Sequence, residues 1–104
     1  MNQFNLYIGA DNATGIVNKD KIIYYLTHTF SGFTIIDSIG LWEGKRESSV
    51  VVSIFTNKNR RFMIEFIKGL CAVLKQDCVV MQSMIAEKGN MDMKIDFLPP
   101  ADMK

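Results

Sequence analysis

The segment from Phe33 to Thr56, FTIIDSIGLWEGKRESSVVVSIFT, constrains the fold more than any other stretch of the chain. Two apolar runs are joined by a short polar turn with a glycine, Glu43-Gly44-Lys45-Arg46, which is the pattern of a β-hairpin. Neither run is cleanly polar on alternate residues. A strand that is apolar on both sides has to be covered on both sides. The chain's own helices are expected on one side, and another copy of the protein or a ligand on the other.

In the first run Phe33, Ile35, Asp37, Ile39 and Leu41 share a face, and Thr34, Ile36, Ser38, Gly40 and Trp42 share the opposite one. The first set is more apolar but contains Asp37, whose carboxylate is costly to bury without a partner. A bulge near Gly40 would switch the register part-way. In the second run Val50, Val52 and Ile54 oppose Val51 and Phe55. Because the faces differ so little, a dimer or higher oligomer is expected, with Tyr7, Trp42 and Met81 on the second face.

The neighbours of the hairpin are easier to read. Phe4 to Gly9 alternates Phe4, Leu6 and Ile8 against Asn5, Tyr7 and Gly9, the pattern of a strand. Asn18 is placed to cap a helix running to about Phe30, with Ile22, Ile23, Leu26 and Phe30 as its apolar stripe. Asn59 is placed to cap a second helix over 60–76, with Phe62, Phe66, Leu70, Val73 and Leu74 on its apolar side and Met63 and Ile67 widening it. Gly69 inside this helix suggests close approach of a neighbouring backbone. A third strand region spans 78–85, Glu87-Lys88-Gly89-Asn90 turns the chain, and Met91 to Phe97 alternates as an edge strand wet on one side. The order β, α, β, β, α, β with one more β predicts an α+β, ferredoxin-like domain over 1–98. Two helices would lie on one face of an antiparallel sheet, and 99–104, after Pro99-Pro100, would form a flexible tail.

A chain of 104 residues with 48% hydrophobic and 22% charged residues is a single globular domain. A net charge of +1 offers no field for nucleic acid or an anionic membrane surface, so neither is expected as a partner. No apolar run reaches the ~18 residues of a membrane span. Residues 1–10, MNQFNLYIGA, carry no basic leader region, which points to the cytoplasm of a bacterial or infected host cell. Cys71 and Cys78 are then expected as free thiols. Frequent isoleucine, lysine and asparagine suggest an AT-rich genome, as in many phage accessory proteins.

Four segments in order carry a family resemblance: Leu6-Tyr7-Ile8-Gly9, then Phe30 to Trp42 (FSGFTIIDSIGLW), then Arg46-Glu47-Ser48-Ser49-Val50-Val51, then Gln76 to Val80 (QDCVV). Together they resemble the bacterial family called domain of unknown function 3574. Its members carry an LYFG start, an FP-x-GLTV-x-DA-x-GQW segment, an E-x-S-K-V segment and a late Q-x-x-V. The spacing of Gly32-Phe33-Thr34, Asp37, Gly40 and Trp42 is the most specific part. This chain departs from the pattern at Leu41, where the family tends to have glutamine, and residues 1–10 do not read as the leader expected of its members, which usually look secreted or lipid-anchored. The resemblance implies the ferredoxin-like fold. That family has no established activity to carry over.

The candidate chemistry is sparse. Asp37, Glu47 and Arg46 lie on the hairpin, and with Tyr7, Trp42 and Met81 they are the candidates for a ligand site or an interface. Gly9 to Gly15 (GADNATG) follows a strand and precedes a helix, a context that suits an anion, with Gly9, Asn12, Thr14 and Gly15 as candidates. It lacks the Gly-Lys-Ser/Thr of a P-loop and the dinucleotide glycine spacing, and an ordinary turn is the alternative. His28, the one histidine, has no second ligand at metal spacing, so no metal or cofactor is expected. With no catalytic set, the residues favour a non-enzymatic homo-oligomer that captures a small molecule, a nucleotide signal or a host protein. A small α+β-barrel-type enzyme with a pocket on the open sheet face, built from Asp37, Tyr7, His28 and Trp42, is one alternative. An inhibitor of a host enzyme is another.

Overall fold

A computed structural model describes residues 1–11 and 14–102, with Trp42 described in its backbone only. The elements are β1 (Asn2–Gly9), α1 (Lys19–Thr27), β2 (Thr34–Trp42), β3 (Lys45–Thr56), α2 (Arg60–Val73), β4 (Val79–Glu87) and β5 (Asn90–Leu98). The strands form one sheet in the order β2-β3-β1-β4-β5, and every neighbouring pair is antiparallel. The first four strands have the ferredoxin-like arrangement, and β5 adds to the β4 edge.

Both helices begin at the expected asparagines. The Asn18 side chain accepts from Lys21 N–H (3.0 Å) and the Asn59 side chain from Phe62 N–H (2.8 Å), each satisfying an otherwise unpaired first-turn donor. Helix α1 ends at Thr27, a turn earlier than its apolar stripe suggests, and Phe30 N–H closes the end on Leu26 C=O. The helices cover one face of the sheet. Ile22 and Leu26 of α1 and Met63, Ile67, Leu70 and Cys71 of α2 pack against Phe4, Leu6, Ile8, Val50, Val52, Ile54, Val79 and Met81, all buried.

The α2 stripe is rotated from the expected one. Met63, Ile67, Leu70 and Cys71 point into the core, while Phe62 is exposed and Phe66 lies on the flank between the helices. Phe66 meets Phe30 edge-on at 5.2 Å and Tyr25 at 4.9 Å between ring centroids, so the aromatic residues join α1 to α2 instead of filling the sheet core. Close approach at Gly69 comes from a side chain, not a backbone. A Cβ there would stand 2.4 Å from the Tyr25 hydroxyl, which donates to Phe66 C=O at 3.2 Å.

The hairpin register is unbroken from Thr34↔Ser53 to Trp42↔Lys45, so there is no bulge at Gly40. The turn is shorter than expected: only Glu43 and Gly44 lie between the strands, and Lys45 and Arg46 already belong to β3. Both turn residues have positive φ (50° and 77°), and Lys88-Gly89 repeats this between β4 and β5 (49° and 80°). Such two-residue turns match the right-handed twist of the flanking strands, and glycine bears the second positive φ without strain. Pairing with Val52 and Val50 puts Ile35 and Asp37 on the helix side. The hairpin then runs past the helices, leaving Asp37, Ile39 and Leu41 exposed.

Strand β5 alternates as expected, but its wet side faces the helices. Asp96 pairs across with the buried Met81 and receives Arg60 of α2 through both carboxylate oxygens. Met91, Met93, Ile95 and Phe97 therefore point to the uncovered face and are exposed. Beyond β5 the chain returns along α2, where Ala101 N–H donates to Lys68 C=O at 2.9 Å.

Candidate functional site

The site grows from two glycines inside strands. Gly9 on β1 and Gly40 on β2 flank β3, and both point to the open face, where the Glu47 side chain of β3 lies over them. A Cβ at Gly9 would stand 2.8 Å from Glu47 Oε1, and one at Gly40 would stand 3.5 Å from Glu47 Cγ. Any side chain at Gly9 would push the carboxylate away. Glycine within a strand marks such close approach.

Glu47 is half-buried, and among the described residues its carboxylate has no hydrogen-bond or ion-pair partner. Gln76, at the end of α2, is buried and anchors this corner by donating Nε2–H to Ala10 C=O at 2.7 Å. Its Oε1 lies 3.8 Å from where a Gly9 Cβ would be. Two acceptor oxygens thus converge on Gly9. Ser49 fixes the strand beside them, its hydroxyl donating to Ile8 C=O at 3.2 Å. The arrangement suits a ligand that brings positive charge or hydrogen-bond donors.

Of the residues singled out in the sequence, Gly9 and Glu47 come together here. Tyr7 is on the same open face two residues along β1, its hydroxyl donating to Gln82 Oε1 at 3.3 Å. Arg46, one residue from Glu47, falls on the opposite side of β3. Asp37 is also on that opposite side, exposed and bridged to Lys19 at 3.0 Å, so its presence on an apolar strand carries no burial cost. Met81 is not on the open face at all: it is fully buried under the helices, because its register partner Leu6 belongs to the core row. Asn12 and the Trp42 side chain lie outside the described residues.

In the loop read as an anion cradle, several amides of the described residues already have partners within the loop. Thr14 N–H donates to Asp11 Oδ1 (3.1 Å), Gly15 N–H to Asp11 C=O (2.8 Å) and Ile16 N–H to Thr14 Oγ1 (3.3 Å). These three amides are occupied, so the described part of the loop satisfies its own donors. It borders a cleft of about 210 Å³ on the helix side, into which Lys21 and Lys75 also face. His28 sits exposed at the cap of α1, with Nδ1 at 2.7 Å from Tyr24 C=O. No group of three or more His, Cys, Asp or Glu gathers as a metal site among the described residues. Cys71 is buried, and burial foremost pushes its thiol up to about 11, while Cys78 is exposed.

The rest of the open face is a surface of rows. Ile36, Val51, Tyr7, Val80 and Phe97 form one row across all five strands. Thr34, Ser53, Asn5, Gln82 and Ile95 form the next, and Phe55, Gln3, Met84 and Met93 a third. The polar members bond to one another: Asn5 Nδ2 donates to Gln82 Oε1 (3.1 Å), and Gln3 Nε2 donates to Asn5 Oδ1 (3.3 Å) and Ser53 Oγ (3.4 Å). Sequence reasoning missed both this row and the role of Gln76. The amide residues at alternate strand positions were the available signal for the row. The two strand glycines were the signal for the carboxylate site.

No family model matches the chain, and no curated protein matches it in sequence. Among solved structures it is similar to a phage SAM lyase in its apo state. The two are 15% identical with a TM-score of 0.65, over 99% of this chain and 92% of the other. At that identity the likeness concerns the fold. Among the described residues no helix is long and apolar enough to cross a membrane.

Proposed function

We propose that this chain is a homo-oligomeric small-molecule-binding protein of phage origin, acting inside the infected cell, and that the Glu47 carboxylate receives a cationic group of its ligand. The observation that carries this is the half-buried Glu47, held over Gly9 and Gly40 with no hydrogen-bond or ion-pair partner among the described residues. A carboxylate kept partly out of water without a partner has a cost, and an incoming cation removes it. At 4 Å, in the intermediate dielectric of such a site, the attraction is about 4 kcal/mol.

The fold likeness to a phage SAM lyase makes SAM the first ligand to try. SAM carries a sulfonium cation, the complement of a free carboxylate. The same likeness supports a second reading, in which the bound molecule is also consumed. We also propose kinship with domain of unknown function 3574, on the spacing of Gly32, Phe33, Thr34, Asp37, Gly40 and Trp42.

Calorimetric titration with SAM tests the site. The wild type is expected to bind and Glu47→Gln to bind at least tenfold more weakly, about 1.4 kcal/mol. Gly9→Ala, which displaces the carboxylate without removing it, should weaken binding in the same direction. Mass spectrometry of the mixture over time separates the two readings: SAM retained intact means capture, and SAM lost faster than in buffer means turnover. A wild-type protein that neither binds nor consumes SAM removes SAM as the ligand. Equal binding by wild type and Glu47→Gln removes Glu47 as the site.

A further inference from the structure

We infer that the open face of the sheet is the surface on which copies of this chain meet, and that the polar row Thr34–Ser53–Asn5–Gln82 sets their register. This deepens the homo-oligomer part of the proposed function and is independent of the ligand. The strongest observation is strand β5. Its alternation is clean, yet the apolar set Met91, Met93, Ile95 and Phe97 faces outward while Asp92, Lys94 and Asp96 lie on the helix side. On the helix side of this strand Asp96 and Leu98 are covered by the rest of the fold while Asp92 and Lys94 reach solvent, and among the described residues nothing covers its apolar side. Phe97 is 72% exposed and Phe55 60%.

Three features say that the occupant is a second copy. First, the three rows contain no charged residue, although the chain has 12 Lys and Arg and 11 Asp and Glu. On that side of the hairpin, charge enters only near its tip, at Glu47 and Lys45. Identical charged faces repel unless their charges happen to interleave, whereas an uncharged face meets its own copy without penalty. A partner of opposite charge would find nothing to pair with. Second, the polar row is built from amides and hydroxyls, each both donor and acceptor. After the bonds within the sheet, Asn5 keeps one amide hydrogen and one acceptor lone pair and Gln82 keeps one amide hydrogen, so the row can bond to another copy of itself. Third, the size fits. Five strands and three rows span about 24 by 20 Å, roughly 500 Å² in projection before side-chain relief. That is on the scale of the ~800 Å² of accessible surface per partner in a specific interface. A polar row between apolar rows penalises every alignment that sets amides against Val51 or Phe97, as a buried polar position fixes register in a coiled coil.

The test is the mass of the full chain by light scattering and native mass spectrometry across about 1–100 μM. The wild type is expected as one discrete multimer. Val51→Lys, inside the apolar row on β3, should be a monomer with an unchanged far-ultraviolet spectrum, since Val51 faces away from the helices. Asn5→Leu with Gln82→Leu should still associate, but as a mixture of sizes. A wild-type monomer at 100 μM overturns the inference, whatever its affinity for SAM. So does a folded Val51→Lys that keeps the wild-type mass. A single discrete multimer from the double-leucine variant overturns the register role alone. A multimer that ignores SAM leaves this inference standing and removes only the ligand.

Discussion

Gly69 has no side chain because Tyr25 occupies the space. The Tyr25 hydroxyl stands 2.4 Å from where a Cβ would be, and it is held there by its bond to Phe66 C=O. Alanine in an exposed helix interior gains about 1 kcal/mol over glycine. Here it would instead push the phenol off its acceptor. Gly69→Ala is therefore expected to destabilise by about 1 kcal/mol in urea denaturation. In Tyr25→Phe, where the nearest remaining ring atom lies at 3.7 Å, the same substitution should stabilise. The change of sign within one double-mutant cycle is the signature. Residue-scale chemistry also sets a pH dependence. Burial raises the Cys71 thiol from 9.0 to about 11, so the folded state holds its proton more tightly than the unfolded state does. The stability this confers is fully present below pH 9 and is lost as pH rises through 11. Cys71→Ala should flatten the decline in stability between these values relative to wild type. In the native protein a thiol reagent should modify Cys78 quickly and Cys71 only on unfolding.

At the scale of elements, what was legible in the sequence was local, and what was hidden was not. Asn18 and Asn59 announce their helices because a cap is a contact between residues three apart. The glycines of the two hairpins announce their turns for the same reason. The order of elements then leaves few topologies, and the sheet order follows. The apolar stripe of α2 was misjudged because Phe62 and Phe66 are as apolar as Met63 and Ile67. Which pair turns inward depends on α1, where Tyr25 and Phe30 take up Phe66. Strand β5 is the sharper case. A period of two reveals that one side is apolar but not which side the helices cover. Arg60 decides it, by drawing Asp96 to the helix side across 36 residues of chain. The Glu47 site had the same difficulty. Gly9 and Gly40 were visible as strand glycines, and Glu47 as a hairpin carboxylate, but only the register of β1 and β2 on β3 brings them together.

For the whole molecule, the three uncharged rows of the open face and the single core under the helices belong to the same energetic problem. The helices bury one side of the sheet, and the other side contributes to stability only when copies associate. Association that is lost on unfolding makes stability depend on concentration. For a dimer, each tenfold rise in protein concentration adds about 1.4 kcal/mol per dimer, or about 0.7 kcal/mol per chain. In a domain of this size that corresponds to a rise in Tm of roughly 3–5 °C. Thermal melts of the wild type at 2, 20 and 200 μM should therefore climb in steps of about that size. Val51→Lys should melt at one temperature throughout, close to the wild-type value extrapolated to low concentration, because a lysine on the uncovered face leaves the helix side untouched. A concentration-independent wild-type Tm would mean that the sheet face adds nothing to folding, and that Met91, Met93, Ile95 and Phe97 stand in water in the working protein.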